Sequence, residues 1–240
     1  MTTDSIPVGI SACLAGHNVR HNGGHCRSKF CLETLSDVFS FEPICPEVAI
    51  GMGAPRPTIR LVGDFHNPRI VGSNDSGLDV TDRLKDYSER TAKSLSHLAG
   101  YVFMKNSPTC GVFSTKVYRS SGYPHEQRRA GIFAAAVMAY NPHLPVEEEG
   151  RLNDATLREN FVQRVFAYHD WRTRVETSNK NSSLIEFHSR YKYILMAHSQ
   201  KSYKVLGRLV ADLKAQDFSA LRGVYLSEFM KTLQKPDRKS

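Results

Sequence analysis

Hydrophobic residues along this chain come in short blocks that alternate between strand-like runs and helix-like spacing. Pro7–Ala12 (Pro-Val-Gly-Ile-Ser-Ala) predicts a short buried strand ending at Cys13. Phe30, Leu32, Leu35 and Val38 recur at helical intervals and predict a helix over 30–39. The apolar run Val38–Ile44 leads a second strand straight into Cys45-Pro46-Glu47, followed by the turn chemistry of Gly51-Met52-Gly53 and Pro55-Arg56-Pro57. Thr58–Val62 and Arg69–Val71 predict a hairpin around Asp64–Pro68. Val80, Leu84, Tyr87, Leu95 and Leu98 share one face of an amphipathic helix over 79–98, with Gly100 as its stop. Tyr101–Met104 is the next buried strand and opens into Asn106-Ser107-Pro108-Thr109-Cys110-Gly111. An Ala-rich helix over 128–140 is stopped by Asn141-Pro142, and Leu144–Val146 gives a last short strand into Glu147–Gly150.

From Asp154 onward the period is helical throughout. Asp154 reads as the N-cap of a helix over 155–175, Ser178–Ser183 as a polar linker, and 184–213 and 221–233 as further helices. Strands alternating with helices, then helices alone, predict an α/β fold: a Rossmann-like parallel sheet with flanking helices over 1–150. A connecting helix over 151–178 and a smaller all-α domain over 179–240 complete the expected organisation.

Charge sharpens this division. Of the formal net charge of +8, residues 179–240 hold twelve Lys+Arg against five Asp+Glu, a net +7, and the rest twenty against nineteen, a net +1. A nearly neutral module joined to a basic one suits a partner rich in phosphate, although a basic tail also serves solubility alone. Met1–Asp4 is polar with no apolar stretch after it, and no run approaches the roughly 18 residues of a membrane span. The reading is a cytoplasmic protein without a membrane partner. Five cysteines, an odd number, then point to metal binding or catalysis rather than a disulfide framework.

Three of them are placed alike. Cys13, Cys45 and Cys110 each follow a predicted strand, so a parallel sheet brings them to one edge, where ligands of open α/β sheets sit. The loop between Leu14 and His25, rich in glycine and histidine, lies at the same edge. Three thiolates there suit zinc with an open position or an iron–sulfur cluster with one free iron. Glu47, two residues from Cys45, is a candidate base. The plainer alternative is a buried thiol beside a solvated carboxylate. Cys26 and Cys31 match no strong metal spacing and read as structural.

Ser11-Ala12-Cys13-Leu14-x-Gly16, Asn18-Val19-Arg20-x-Asn22-Gly23-Gly24, Cys45-Pro46-Glu47, Pro55-Arg56-Pro57 and Asn106–Gly111 together resemble the thiouracil desulfidase domain, over about residues 5–150. The resemblance implies a [4Fe-4S] cluster on Cys13, Cys45 and Cys110, whose free iron takes the sulfur of a thiolated uracil. It also implies that Glu47 deprotonates the attacking water and that Ser107 orients it or the developing anion, with sulfide released and no electrons consumed. Arg56 and Asn106 are candidate substrate contacts, and each also fits a loop residue satisfied by backbone carbonyls.

Phe187–Gln200 and Tyr203-x-x-Leu206-Gly207-Arg208-Leu209-Val210-Ala211 resemble the YbgA-like helical domain. The two-domain combination is similar to tRNA 4-thiouridine desulfidases, which implies tRNA as partner and 4-thiouridine as substrate. Pro236–Ser240 falls where that family continues into a further helical segment, so a shortened domain is expected. Arg190, Lys192, Lys201, Lys204 and Arg208, with His188 and His198 beside them, are candidate RNA contacts, with Tyr191, Tyr193 and Tyr203 interleaved for stacking. Alternatively Tyr193, Leu195, Met196 and Leu209 form a helical core and the charges are solvated. Trp171 is expected at a domain interface. Two rival functions stay open: desulfidation of free thiouracil or thiouridine, and a non-catalytic RNA-binding protein with a structural metal.

Cys13→Ala, Cys45→Ala and Cys110→Ala are each expected to abolish iron binding after anaerobic reconstitution, whereas Cys26→Ala and Cys31→Ala retain it. An iron and sulfide count checks this, and wild-type iron in Cys110→Ala would sink the assignment.

Overall fold

β1 (Ile6–Ser11) sits inside a four-stranded sheet of order β2-β1-β5-β7, with β2 at Phe39–Ile44, β5 at Gly100–Phe103 and β7 at Val146–Glu148. All three pairings are parallel, as the strand–helix alternation predicts. Val8, Ile10, Tyr101, Val102 and Phe103 are fully buried, because strands in a parallel sheet are covered on both faces. Here and below, the structure is a computed structural model that describes residues 5–75, 77–178, 180–213 and 218–236. The ends Met1–Asp4 and Asp237–Ser240, read above from sequence, lie outside the described residues.

The hairpin forms as β3 (Ile59–Val62) and β4 (Arg69–Gly72), paired antiparallel. A strand that periodicity missed, β6 (Val117–Tyr118), pairs parallel with β3 and makes a second, three-stranded sheet. Two residues are too few to show a period. α1 (Pro46–Ala49) is one turn, α2 (Thr81–Ser94) carries the amphipathic stripe, and α3 (Ile132–Tyr140) is the Ala-rich helix. Several expected boundaries shift. The 30–39 helix is a single wide turn over Phe30–Leu35, because Phe39 already belongs to β2. Gly100 opens β5 opposite Val8 instead of closing α2, which ends through a tight turn at Leu95–His97. The chain before α3 runs extended, with Arg129 bridged to Thr115. β7 starts at Val146, so Glu147 and Glu148 are buried strand residues rather than a polar loop.

Contacts divide the chain into two compact units, Met1–Leu152 and Asn153–Ser240. The second is all-helical: α4 (Ala155–Trp171), α5 (Asn181–His198), α6 (Gln200–Ala211) and α7 (Phe218–Leu233). Asp154 caps α4 by accepting from Leu157 N at 3.0 Å, as predicted. The helix expected over 184–213 is two helices, because Ser199 turns extended and its Oγ caps α6 through Ser202 N at 3.1 Å. Trp171, expected at a domain interface, is core instead. It stacks on Tyr225 with ring centroids 5.6 Å apart and meets Phe187 edge-on, deep in the helical unit. Ala167, Trp171 and Val175 belong to that core, so the segment expected as a connecting helix packs within the second unit. Among the described residues no helix is long and apolar enough to cross a membrane.

Candidate active site

The register of β1 on β2 pairs Ser11 with Ile44, so Cys13 and Cys45 emerge side by side at the carboxyl edge of the sheet. Cys45 occupies the N-cap position of α1, and Pro46 starts the turn, where its missing N–H costs nothing. β5 ends one strand over, and Ser11 Oγ accepts from Met104 N at 3.0 Å, which ties the two strand ends together. The loop after β5 then brings in Ser107 and Cys110. A cavity of about 360 Å³ lies among these ends, lined by Cys13, Arg20, Glu47, Lys105, Ser107 and Cys110, and also by Arg56 and Asn106.

Among the described residues Glu47 is the only carboxylate on that wall, and it is 8% exposed. Its Oε2 accepts from the Cys45 thiol at 3.3 Å and lies 3.7 Å from Arg56 Nη2. Its Oε1 accepts from the Thr109 hydroxyl. Thr109 Oγ1 is in turn 2.9 Å from Ser107 Oγ, so a line of hydroxyls joins Ser107 to the carboxylate. Ser107 Oγ also accepts from Thr109 N and Cys110 N, at 3.2 and 3.0 Å, which sets the turn that carries Cys110. Arg56 spends Nη1 on the carbonyls of Val19 at 2.7 Å and Gly53 at 2.9 Å. That is the backbone-satisfied arrangement weighed above as the alternative to substrate contact. Its remaining charge faces Glu47. Gly51 and Gly53, at φ +85° and +72°, reverse the chain so that Arg56 returns to the site.

Burial pushes the Cys13 thiol up to about 11, with Cys26 and then Glu47 adding to the effect. Burial and then Glu47 push Cys45 up to about 12, and the same two causes hold Cys110 well above the ordinary thiol range. All three sulfurs therefore feel the same carboxylate. Without metal they hold their protons at neutral pH, and a metal group must displace them. Among the described residues no three His, Cys, Asp or Glu side chains are grouped as ligands of one metal ion. An iron–sulfur cluster asks for something else, one thiolate per iron, with the sulfurs spread around a larger body. Cys13 and Cys110 on the cavity wall, with Cys45 beside them against Glu47, fit that requirement.

The loop bearing Cys110 is anchored by residues that periodicity does not mark. Gly131, at the start of α3, donates to Gly111 O at 2.7 Å, while Ile132 N and Ala134 N take the carbonyls of Pro108 and Thr109, both at 3.1 Å. A Cβ at Gly131 would stand 2.6 Å from Thr109 C and O, so only glycine allows this approach. From the other side, buried Glu148 Oε1 accepts from Val112 N at 2.7 Å, Phe113 N at 3.0 Å and Ser114 Oγ at 2.8 Å. Asn106 turns the loop at φ 58°, a conformation asparagine tolerates, and donates its N–H to Ser114 Oγ at 2.8 Å. Thr109 had a visible signal, its place between Ser107 and Cys110. Glu148 and Gly131 had none.

The other candidates are scattered more widely. Cys26 N donates to Cys13 O at 2.9 Å and its sulfur accepts from Arg20 at 3.0 Å, so this cysteine braces the Cys13 turn. Cys31 is fully buried. In the helical unit Arg190 is paired with both oxygens of Asp170, at 2.7 and 2.6 Å, and holds α5 to α4. Lys201, Lys204 and Arg208 are exposed along one face of α6. Lys192 lies 5.0 Å from the ring of Tyr193, which is 67% exposed rather than core. His188 bonds the Tyr225 hydroxyl at 2.9 Å, and His198 bonds Lys235 O at 2.6 Å, so both are structural.

Gly131→Ala is expected to push Thr109 off the α3 terminus and loosen the Cys110 turn. Alkylation of Cys110 in the metal-free protein, followed by mass spectrometry, should quicken by about tenfold or more, the scale of a kilocalorie-range strain. An unchanged rate would mean the loop does not depend on this contact.

The 2-thiouracil desulfurase family model matches residues 8–149, and a model described as a protein of unknown function, DUF1722, matches 192–240. The uncharacterized protein YbbK of Bacillus subtilis (strain 168) is 29% identical over 154 residues, covering 60% of this chain and 97% of YbbK. The uncharacterized protein YbgA of Escherichia coli (strain K12) is 40% identical over 63 residues, covering 26% of this chain and only 34% of YbgA. Among solved structures, the [4Fe-4S]-dependent thiouracil desulfidase TudS matches with a TM-score of 0.50 and 27% identity, over 65% of this chain and 98% of TudS. Since the first match spans more than half of its length and all three strand-end cysteines, the chain belongs to the 2-thiouracil desulfurase family.

Proposed function

We propose that this protein removes sulfur from a thiolated uracil, that Cys13, Cys45 and Cys110 hold a [4Fe-4S] cluster for the purpose, and that 4-thiouridine in tRNA is the substrate. The reading is carried by one observation: a buried carboxylate on the wall of a cavity lined by Cys13 and Cys110 touches the Cys45 thiol and a hydroxyl line. The cluster, when bound, supplies a Lewis-acidic iron with an open position for the thiocarbonyl sulfur. The protein's own groups supply the rest. Glu47 takes a proton from the attacking water, and Thr109 fixes which of its oxygens is engaged. Ser107 orients the water or the anion that forms on the ring. Water and thiocarbonyl become carbonyl and hydrogen sulfide, with no electron transferred. Arg56 holds Glu47 in place, and Asn106 lines the cavity for substrate contact.

The RNA part of the reading rests on the helical unit, where Lys201, Lys204 and Arg208 form an exposed basic face and Lys192 accompanies the exposed ring of Tyr193. Arg190, spent on Asp170, belongs to the scaffold of that face. Desulfidation of free thiouracil is the second reading, favoured by a cavity that needs only the base to fill it.

Glu47→Gln should retain iron and lose desulfidation by about a hundredfold or more, the scale of a removed acid–base group. Full activity with an intact cluster would place the base elsewhere. Reversing charge at Lys192, Lys201 and Lys204 in the full chain should raise the KM for thiolated tRNA several-fold while leaving turnover of free thiouracil in place. Equal loss on both substrates would mean that the helical unit is chiefly part of the fold. No sulfide from either substrate by the reconstituted protein would leave a non-catalytic binding protein.

A further inference from the structure

We propose that a groove beside the cavity, in the first unit, carries the nucleotide strand flanking the thiolated base, so that the catalytic unit itself binds RNA. The inference rests on the desulfidase reading with an RNA substrate and adds a second binding surface to it. The groove has a volume of about 900 Å³ and shares Ile59, Asn106 and Pro108 with the cavity wall, so the two are continuous. A base seated by Glu47 and Ser107 therefore has its chain leading into this groove.

The groove's chemistry is that of a single-stranded nucleic acid site. Its lining holds Arg60, Lys116 and Arg128 and no carboxylate among the described residues. None of the three cations is ion-paired with a described carboxylate. Arg128 donates to the carbonyl of His125 at 3.3 Å. Arg60 stands over the Tyr118 ring, 5.3 Å from its centroid, and its Nε is buried without a hydrogen-bond partner. Unneutralised cations on a groove wall suit phosphate oxygens. The aromatic element is Phe113, which lines the same groove and is 49% exposed. Its backbone N–H is bonded to buried Glu148, and Arg151 lies 4.8 Å from the ring's centroid. A buried carboxylate thus anchors the backbone that presents Phe113. A half-exposed ring beside unpaired cations is a stacking platform next to phosphate ligands. Peptides with acidic side chains share the charge preference but not the stacking.

The test uses the full-length protein and a fluorescent short oligouridylate without sulfur, with uridine monophosphate for comparison. Phe113→Ala and Lys116→Glu should each weaken the oligouridylate by roughly tenfold, the scale of one lost stack or phosphate contact, and leave the mononucleotide unaffected. Lys116→Gln should lower the slope of log affinity against log salt by about 0.7, one phosphate on a single strand. Unchanged melting temperatures identify these as surface effects. Unchanged oligouridylate affinity in both variants overturns the groove, and so does equal weakening of mononucleotide and oligomer. Polyglutamate competing as well as RNA would also overturn it. Because the probe carries no thiocarbonyl, these outcomes are independent of whether sulfide is released, which tests the desulfidase reading separately.

Discussion

Parallel pairing that sets Ser11 beside Ile44 and carries β5 along the other side of β1 is what allows one site to draw on distant parts of the chain. Strands running the same way deliver their carboxyl ends to one edge, and each end here is followed by a cysteine. A shift of one residue in the β1–β2 register would invert every side chain of the strand and bury the wrong face. Burial of Phe39 beside exposed Ser40 on β2 therefore fixes the register and, with it, the positions of the thiols. The chemistry at the edge is a consequence of packing in the sheet beneath it.

The edge is also an electrostatic problem. Cys13, Cys110 and Glu47 line one small cavity together with Arg20, Arg56 and Lys105, and the Cys45 thiol joins them through Glu47. Ionised side by side, the buried thiolates and the carboxylate would repel one another, and burial would magnify the repulsion. The metal-free protein meets this by keeping the thiols protonated. A cationic metal group resolves it differently, by replacing the protons, which is why the donor set suits a cluster better than it suits an empty pocket. The Thr109 and Ser107 hydroxyls then hold Glu47 without adding charge.

How much of this was legible in the sequence follows from what periodicity measures. β1, β5, α2 and the helices after Asp154 were readable because each is long enough or apolar enough to show its period. Cys13, Cys45 and Cys110 were readable because each directly follows such a block. Gly100 was misread because glycine after an amphipathic helix suggests a stop, whereas here it lets a buried strand begin. Ser199 broke one predicted helix into two through a cap that a long apolar pattern conceals. Glu147-Glu148-Glu149 looked like a solvated loop, yet Glu148 is buried because the 112–114 segment offers it three donors from elsewhere in the chain. Gly131 acts across the fold, so nothing local announces it.

Segment charge misleads for the same reason. Residues 1–178 read as nearly neutral, but the sum includes Glu47, Glu147 and Glu148, which are buried and bonded inside the structure. It also includes Asp79 and Asp86, which are paired with Arg69 and Arg90. Arg56 and Arg151 face Glu47 and Glu147 in the same way, so of these acids only Glu148 is held by neutral donors, and the cations left unneutralised include those lining the groove next to the cavity. The basic tail shows the reverse. Arg190 counts toward its net +7, yet its charge is absorbed by Asp170 and is unavailable to a partner. What a phosphate backbone meets is the set of cations left unpaired after folding, and in this protein that set is divided between the helical unit and the rim of the catalytic one.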